Sequence, residues 1–346
     1  MPDALAALTT LRLGGPAGEL VEVHDEQELV AAVASGDAAG RPPLVVAGGS
    51  NLVVGDDGVP GRVVLVRTRG IVVETRDGGG GNRGNAVVRV AAGESWEALV
   101  LRAVREGWVG IETLAGIPGS VGATPVQNVG AYGQDVAQTI AWVRAWDRAE
   151  RRQLTLDNAD CGFGYRTSRF KAEPGRFLVL EVCFELAFGD LSAPVAYAEL
   201  ARRLGCELAE RRPLAEVRDA VLALRSAKGM VLDSADHDTW SVGSFFTNPV
   251  LTAETAATLP GHAPRWPQSD GQVKVSAAWL IRQAGFEPGH GTGPARISTK
   301  HTLALTNQGG AATDDLLALA REVQGGVRAR FGVTLHPEPV LVGCSL

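Results

Sequence analysis

The stretch LAGIPGSVGATPVQNVGAYGQDV runs from Leu114 to Val136, with five glycines and two prolines among 23 residues and no charge before Asp135. Within it GIPGSVGA, residues 116–123, has small side chains at five of eight positions. A main chain this bare lets a phosphate or a flat ring lie directly against its amides. Gly116, Ile117, Pro118, Gly119, Ser120, Gly122 and Ala123 are candidate cofactor-binding residues; the competing reading is a buried crossover kept small for packing.

A second loop of this kind lies upstream. In VAGGSNLVVGDDG, residues 46–58, Gly48, Gly49, Ser50 and Asn51 follow a β-branched run and lead into Leu52. Converging amides there form an anion nest without side-chain charge, although a plain strand-to-strand turn has the same texture. The loop lacks the GxxxxGK[ST] of a Walker motif and does not open a helix with GxGxxG, so neither a P-loop nor a Rossmann site is expected. Two such loops in one chain favour a large, multiply phosphorylated cofactor over a single anion.

The 346 residues suffice for two or three domains, and 45% hydrophobic content fits a globular protein. The net charge of −6 has no polybasic run, so no nucleic-acid or membrane partner is expected, and an anionic ligand must meet local cations. Cys161, Cys183, Cys206 and Cys344 are scattered without a CxxC or a histidine pair, which speaks for reduced thiols and no metal. No run reaches the roughly 18 apolar residues of a membrane span, and the first residues show no basic segment followed by an apolar core, so a cytoplasmic protein is expected.

Short β-branched runs fill the first third: PLVVAG (43–48), GRVVLVRT (61–68), GIVVET (70–75) and NAVVRVAAG (85–93). DGGGGNRGN (77–85) reads as a mobile hairpin tip. Apolar spacing predicts a helix over 95–106, then strands over 139–148 and 177–186. Beyond Leu191 the texture turns helical, at 194–205, 213–229, 277–284 and 314–331, with strands at 301–307 and extended chain at 333–343. The architecture is α+β.

Four motifs in order, GGSNLVV (48–54), GIPGSVGATPVQNVGAYG (116–133), YRTSRFK (165–171) and GSFFTNP (243–249), resemble those of the UDP-N-acetylenolpyruvoylglucosamine reductases, of the first type, over about residues 8–343. The resemblance implies an FAD-binding module of the vanillyl-alcohol-oxidase (PCMH-type) fold over 1–227, in two subdomains of about 1–69 and 70–227. It also implies a smaller α+β substrate-binding domain over 228–331, and a segment 332–346 that returns to the first subdomain. NADPH is the implied hydride donor and UDP-N-acetylmuramate the implied product, formed by ping-pong turnover with hydride from flavin N5 to C3 and a proton to C2. A monomer is expected, with small-molecule partners alone.

By the same resemblance Ser244 is the proton donor, Arg166 meets the substrate carboxylate, and Glu338 stabilises the enolic intermediate. Donation by Glu338 would require a protonated acid, hence burial or an anionic neighbour. Tyr197 and Lys228 match the nucleotide-holding features of the first type, and Asn248, Lys274, Tyr165 and His301 are further substrate-binding candidates. His301 has the competing reading of a satisfied core histidine. The chain departs from the family in the connection KGMVLDSADHDTWSVGS (228–244), which is longer than usual, in Trp266 where tyrosine is common, and in Arg282 at a commonly acidic position. An alcohol or sugar oxidase of the same flavin fold, and a silent flavin- or nucleotide-sugar-binding module, are the competing functions. The Ser, Arg and Glu set disfavours both, because it suits protonation of a carbanion.

Overall fold

A computed structural model describes residues 4–76 and 84–346, so most of the glycine-rich segment expected to be a hairpin tip lies outside the described residues. The fold is α+β, in two compact units: Gly18–Gly48 with Gly61–Ser226, and residues 1–17 with Gly49–Pro60 and Ala227–Leu346. This partition cuts the chain differently from the expected 1–227, 228–331 and 332–346. The reason is non-local pairing. Val340–Val342 lies parallel to Leu52–Val54, and Leu11, Leu13 and Val53 share a core with Leu316, Leu317, Ala320 and Val323.

In the unit built from Gly18–Gly48 and Gly61–Ser226, five antiparallel strands run in the order Arg152–Asp157, Ile140–Asp147, Phe177–Phe188, Asn85–Ala91, Ile71–Arg76. Period-two alternation dictates which face is buried. Ala86, Val88 and Val90 stand opposite Leu186, Phe184 and Val182, and all six are fully buried. Onto that face packs the helix Trp96–Glu106, burying Trp96, Leu99, Val100 and Ala103. Ser95 caps its start by accepting from Ala98 N, and Gly107 closes it in the left-handed region. Trp96 Nε1 donates to Leu114 O (3.0 Å), which ties the helix to the start of the glycine-rich stretch.

A three-stranded sheet has Val59–Val66 at its centre, parallel to Leu44–Val46. The helix Glu26–Ala38, which connects Ala17–Val23 to Leu44–Val46, buries only Leu29 and Val33 fully. So short an apolar stripe, interrupted by Gly36, escaped the periodicity reading. The expected helix over 194–205 begins only at Ala198, because residues 192–195 are held extended by Ser192 N to Arg212 O (2.7 Å) and Val195 N to Glu210 O (2.8 Å).

In the other unit the helix Thr313–Phe331 supplies the core, with Leu316, Leu317, Leu319, Ala320, Val323 and Val327 buried. Around it lie the helix Ala277–Gln283 and small sheets, one of them Val250–Leu251, Val273–Val275 and Arg265–Pro267. The expected strand over 301–307 shortens to Leu305–Asn307. His301 sits in a turn before it, accepting Leu303 N at Nδ1 (3.2 Å) and Ala304 N at its carbonyl (3.0 Å), so the satisfied-core-strand reading of this histidine is replaced. The extended stretch 333–343 narrows to the strand Val340–Val342. No described helix is long and apolar enough to cross a membrane, and no group of three or more His, Cys, Asp or Glu among the described residues could hold a metal ion.

Candidate active site

The two glycine-rich loops meet through bare backbone. A Cβ built on Gly48 would lie 2.6 Å from Gly119 Cα and 3.3 Å from Ser120 N, so the contact exists only because residue 48 has no side chain. Behind it the loop is braced: Trp96 N donates to Gly119 O (3.2 Å), Val121 N to Glu94 O (2.9 Å) and Gly122 N to Ala92 O (2.9 Å). A Cβ on Gly122 would fall 2.5 Å from Ala92 Cβ. Gly116 N donates to Glu97 Oε2 (2.5 Å), and Glu97 Oε1 accepts from Arg218 Nη2 (2.6 Å).

The amides of Gly116, Gly122 and Ala123 are thus engaged within the protein, which corrects the expectation that they converge on a ligand. Their contribution to a cradle is the lack of side chains. Ser120 differs. Its Oγ is buried without a hydrogen-bond partner among the described residues, and a buried hydroxyl in that state costs on the order of 1–3 kcal/mol unless a ligand satisfies it. Ile117, Pro118 and Gly119 are half-buried beside it and Ala123 is exposed. This cradle suits a flat, phosphorylated cofactor.

Gly49, by contrast, is fixed by its own surroundings: a Cβ there would lie 1.8 Å from Leu8 O. Thr10 N donates to Gly49 O (3.2 Å), and Thr10 Oγ1 donates to Ser241 O (2.7 Å). Ser241 Oγ in turn accepts Gly243 N (3.1 Å), the residue before Ser244. Ser50 and Asn51 are half-buried, and Asn51 O accepts Val340 N (2.9 Å) where Leu52 enters its parallel pair.

Ser244 stands in the middle of a three-chain arrangement. It bridges to Ala304 on one side, where Phe245 N donates to Leu303 O (2.7 Å). On the other side Glu338 N donates to Phe245 O (2.8 Å), Thr247 N donates to His336 O (3.1 Å), and Phe246 bridges to Pro337. Phe245 and Phe246, 0% and 1% exposed with rings 5.1 Å apart, anchor the segment while Ser244 and Glu338 stay half-buried. Ninety-odd residues of sequence separate Ser244 from Glu338; the ladder makes them neighbours. The segment 336–342 also runs from this ladder to the Asn51–Leu52 contact, so the Gly49 loop, Ser244 and Glu338 share one hydrogen-bonded framework.

Arg166 belongs to the other unit. Its φ of +53° is costly for a non-glycine residue, and such strain concentrates at functional positions. Arg166 Nη2 donates to Gly130 O (2.8 Å), Lys171 Nζ donates to Arg166 O (3.1 Å), and the Tyr165 ring lies 5.9 Å from the guanidinium carbon. Gly130–Ala131 and Gln134–Asp135 form a hairpin whose turn residues, Tyr132 and Gly133, both have positive φ, as a two-residue type I′ turn requires. The Asp135 carboxyl is pushed up by burial, against amide hydrogen bonds and the nearby Arg166 charge.

The Tyr197 ring, at the N-cap of Ala198–Leu204, packs edge-on against Tyr132 at 5.5 Å. Lys228 is half-buried before Gly229, whose α-carbon faces Asp238 O, Lys300 and Ser298. Here the longer connection is organised by Asp238, which accepts from Ser298 Oγ (3.1 Å), Thr299 N (3.0 Å) and Thr299 Oγ1 (2.9 Å). Asn248 Oδ1 accepts Ala277 N (2.9 Å), so its carbonyl serves the fold. Lys274 Nζ lies 5.8 Å from the exposed Trp266 ring, and Arg282 pairs with Glu287 at the surface (3.4 Å). The sequence reading missed Tyr132, Glu112 and Arg225. Burial pushes Arg225 down to about 10, with Tyr132, Glu97 and Arg166 nearby. Its only signal was a position three residues before Lys228.

Two family models match separate stretches of the chain. The family described as "FAD binding domain" matches residues 18–155, and "UDP-N-acetylenolpyruvoylglucosamine reductase, C-terminal domain" matches residues 235–342. The UDP-N-acetylenolpyruvoylglucosamine reductase of Streptomyces coelicolor is 55% identical, over 99% of this chain and 90% of that protein; its Salinispora arenicola counterpart is also 55% identical, over 100% and 97%. The crystal structure of the reductase of the same name from Thermus caldophilus is 27% identical with a TM-score of 0.64, covering 98% of this chain and 97% of that one. With its bare glycine-rich loops, Ser244 ladder and the hairpin that holds Arg166 all inside a match that runs the length of the chain, the protein belongs to the UDP-N-acetylenolpyruvoylglucosamine reductase family.

Proposed function

We propose that the chain reduces UDP-N-acetylglucosamine enolpyruvate to UDP-N-acetylmuramate, holding FAD on the Gly48–Leu52 and Gly116–Ala123 loops. When bound, FAD recharged by NADPH supplies the hydride that adds to C3 of the enol ether. The chain's own residues then manage the charge left at C2, which spreads into the adjoining carboxylate as an enediolate. Arg166, preset by Gly130 O, offers that carboxylate a planar guanidinium. Ser244 delivers the proton to C2; serine is a feeble acid in water and serves here because the acceptor is a strongly basic carbon. Glu338, one strand away, stabilises the enediolate oxygens, a role in which it donates a hydrogen bond only when its carboxyl carries a proton.

The observation carrying this reading is the ladder that pairs Glu338 with Phe245, the residue after Ser244, within one framework with the Gly49 loop. Tyr197, Lys228, Asn248, Lys274, Tyr165 and His301 are assigned to the nucleotide-sugar. A protein acting as a monomer in the cytoplasm is part of the same proposal. The test separates half-reactions. Purified protein should be yellow, NADPH should bleach it anaerobically, and the enolpyruvyl substrate should restore the oxidised spectrum. Ser244→Ala should reduce normally yet reoxidise about 10²–10⁴-fold more slowly, the usual range for a lost general acid. Equal slowing of both halves would refute the proton-donor role.

A further inference from the structure

Behind the Arg166 hairpin sits a carboxylate with no part in the proposed chemistry. Glu112 is fully buried, directly before the glycine-rich stretch. Its Oε2 accepts Gly110 N (2.7 Å), and its Oε1 accepts both Gln134 Nε2 (3.0 Å) and Ala193 N (2.7 Å). Gln134 is polarised in turn: its Oε1 accepts Thr113 N (2.9 Å) and Thr113 Oγ1 (2.7 Å). The donors come from three places. Gln134 belongs to the hairpin whose Gly130 O holds Arg166, Ala193 begins the extended segment that ends at Tyr197, and Gly110 precedes the glycine-rich stretch.

A second contact joins the same two segments further out. A Cβ on Gly133, at the exposed hairpin turn, would lie 2.8 Å from Ala196 Cβ, next to the Tyr132–Tyr197 ring contact. One carboxylate therefore ties the hairpin whose Gly130 O holds Arg166 to the Tyr197-bearing segment at their bases, and the turn meets that segment at the tip. We propose that Glu112 is a positioning residue for substrate: by clamping Gln134 and Ala193 it sets Arg166 and Tyr197 in register with each other. The inference rests on the substrate roles assigned to Arg166 and Tyr197 above.

The network is directional, and that makes it testable with an isostere. In Glu112→Gln the new amide nitrogen must face either Gly110 N–H or the Gln134 and Ala193 donors. Gln134 cannot turn over to accept it without abandoning the Thr113 N donor, although the Thr113 hydroxyl could still donate to Ala131 O. At least one buried N–H is left opposed, and the hairpin or the segment must shift. In the holoenzyme Glu112→Gln should keep its flavin and its rate of reduction by NADPH within about twofold. The KM for the UDP substrate, and its Kd from the perturbation of the flavin spectrum, should rise by about tenfold to a hundredfold, the range set by one unsatisfied buried donor.

Gly133→Ala, which disturbs only the exposed turn, provides a variant that leaves the buried network whole, and it should show the same split with a smaller rise in KM. Arg166→Lys and Tyr197→Ala are measured alongside. If those two weaken substrate binding while Glu112→Gln and Gly133→Ala do not, or slow both half-reactions equally, the clamp is refuted and the substrate reading stands. If Arg166→Lys and Tyr197→Ala leave substrate binding untouched, the substrate reading fails and the clamp with it.

Discussion

Replacing Gly48 by alanine tests whether the contact between the two bare loops exists for the cofactor. The new Cβ would sit 2.6 Å from Gly119 Cα, where ordinary contact begins near 3.4 Å, so the loops must part by about 0.8 Å. Neither side can yield by a rotamer change, because the opposing atoms are backbone. The loop at 119–122 cannot retreat either, since Gly122 lies against Ala92 and donates its N–H to Ala92 O, while Val121 N donates to Glu94 O. Overpacking of this kind costs about 1–3 kcal/mol. Placed on the FAD-binding conformation, that weakens FAD by about 5- to 150-fold. Apoprotein titrated with FAD and followed by flavin fluorescence gives the Kd, and a thermal scan of the apoprotein reads stability separately. Gly61→Ala, in open space on a strand, is the control and should match the parent in both. A Gly48→Ala protein that binds FAD within twofold of the parent, or loses apoprotein stability with an unchanged Kd, would refute the assignment of this contact to the cofactor.

Asp147 accepts Ala149 N, Glu150 N and the Arg176 guanidinium, and the Arg176 hydrogen bonds hold its carboxyl below the usual carboxylate range. Because the folded value is the lower one, its stabilisation is complete above the unfolded pKa of about 4 and is lost as pH falls through the folded value. Asp147→Asn should lower Tm at pH 7, with the gap to the parent closing on acidification; a gap constant with pH would contradict this. Burial pushes the thiols of Cys161 to about 12 and Cys183 to about 11. Iodoacetamide at pH 8 should therefore modify half-buried Cys206 long before these two, as peptide mass mapping would show. Glu97→Gln removes the charge shared by Gly116 N and Arg218, and should raise the Kd for FAD several-fold with little change in the substrate's KM; an unchanged Kd would count against a role for Gly116.

Much of this was legible in the chain itself. The strand over Asn85–Ala91 announces itself by alternation, and the helix over Trp96–Glu106 by spacing, a serine at the cap and a glycine at the close. The bare loops were visible as candidate cofactor surfaces, and the Ser244, Arg166 and Glu338 positions through motif resemblance. Harder to see were features that depend on partners far along the chain. The late start of Ala198–Leu204 comes from pairing with residues 210 and 212, while the turn that takes His301 out of its expected strand is local, its ring accepting Leu303 N two residues on. Tyr132 reads as one more loop residue until Tyr197 meets it.

What the amino-acid sequence determined by itself was local: periodicity, caps, turn chemistry and the absence of side chains at chosen glycines are properties of a few consecutive residues, and so is a motif. Tertiary structure alone decided which groups act together. It paired Glu338 with Phe245, the residue after Ser244, brought Gly48 against Gly119, turned the amides of Gly116 and Gly122 inward while leaving Ser120 Oγ without a protein partner among the described residues, and gave Glu112 three donors from separate segments. The physical reason is that a hydrogen-bond donor's partner and a glycine's available space are set by whatever chain packs there, and packing joins residues without regard to their separation in sequence.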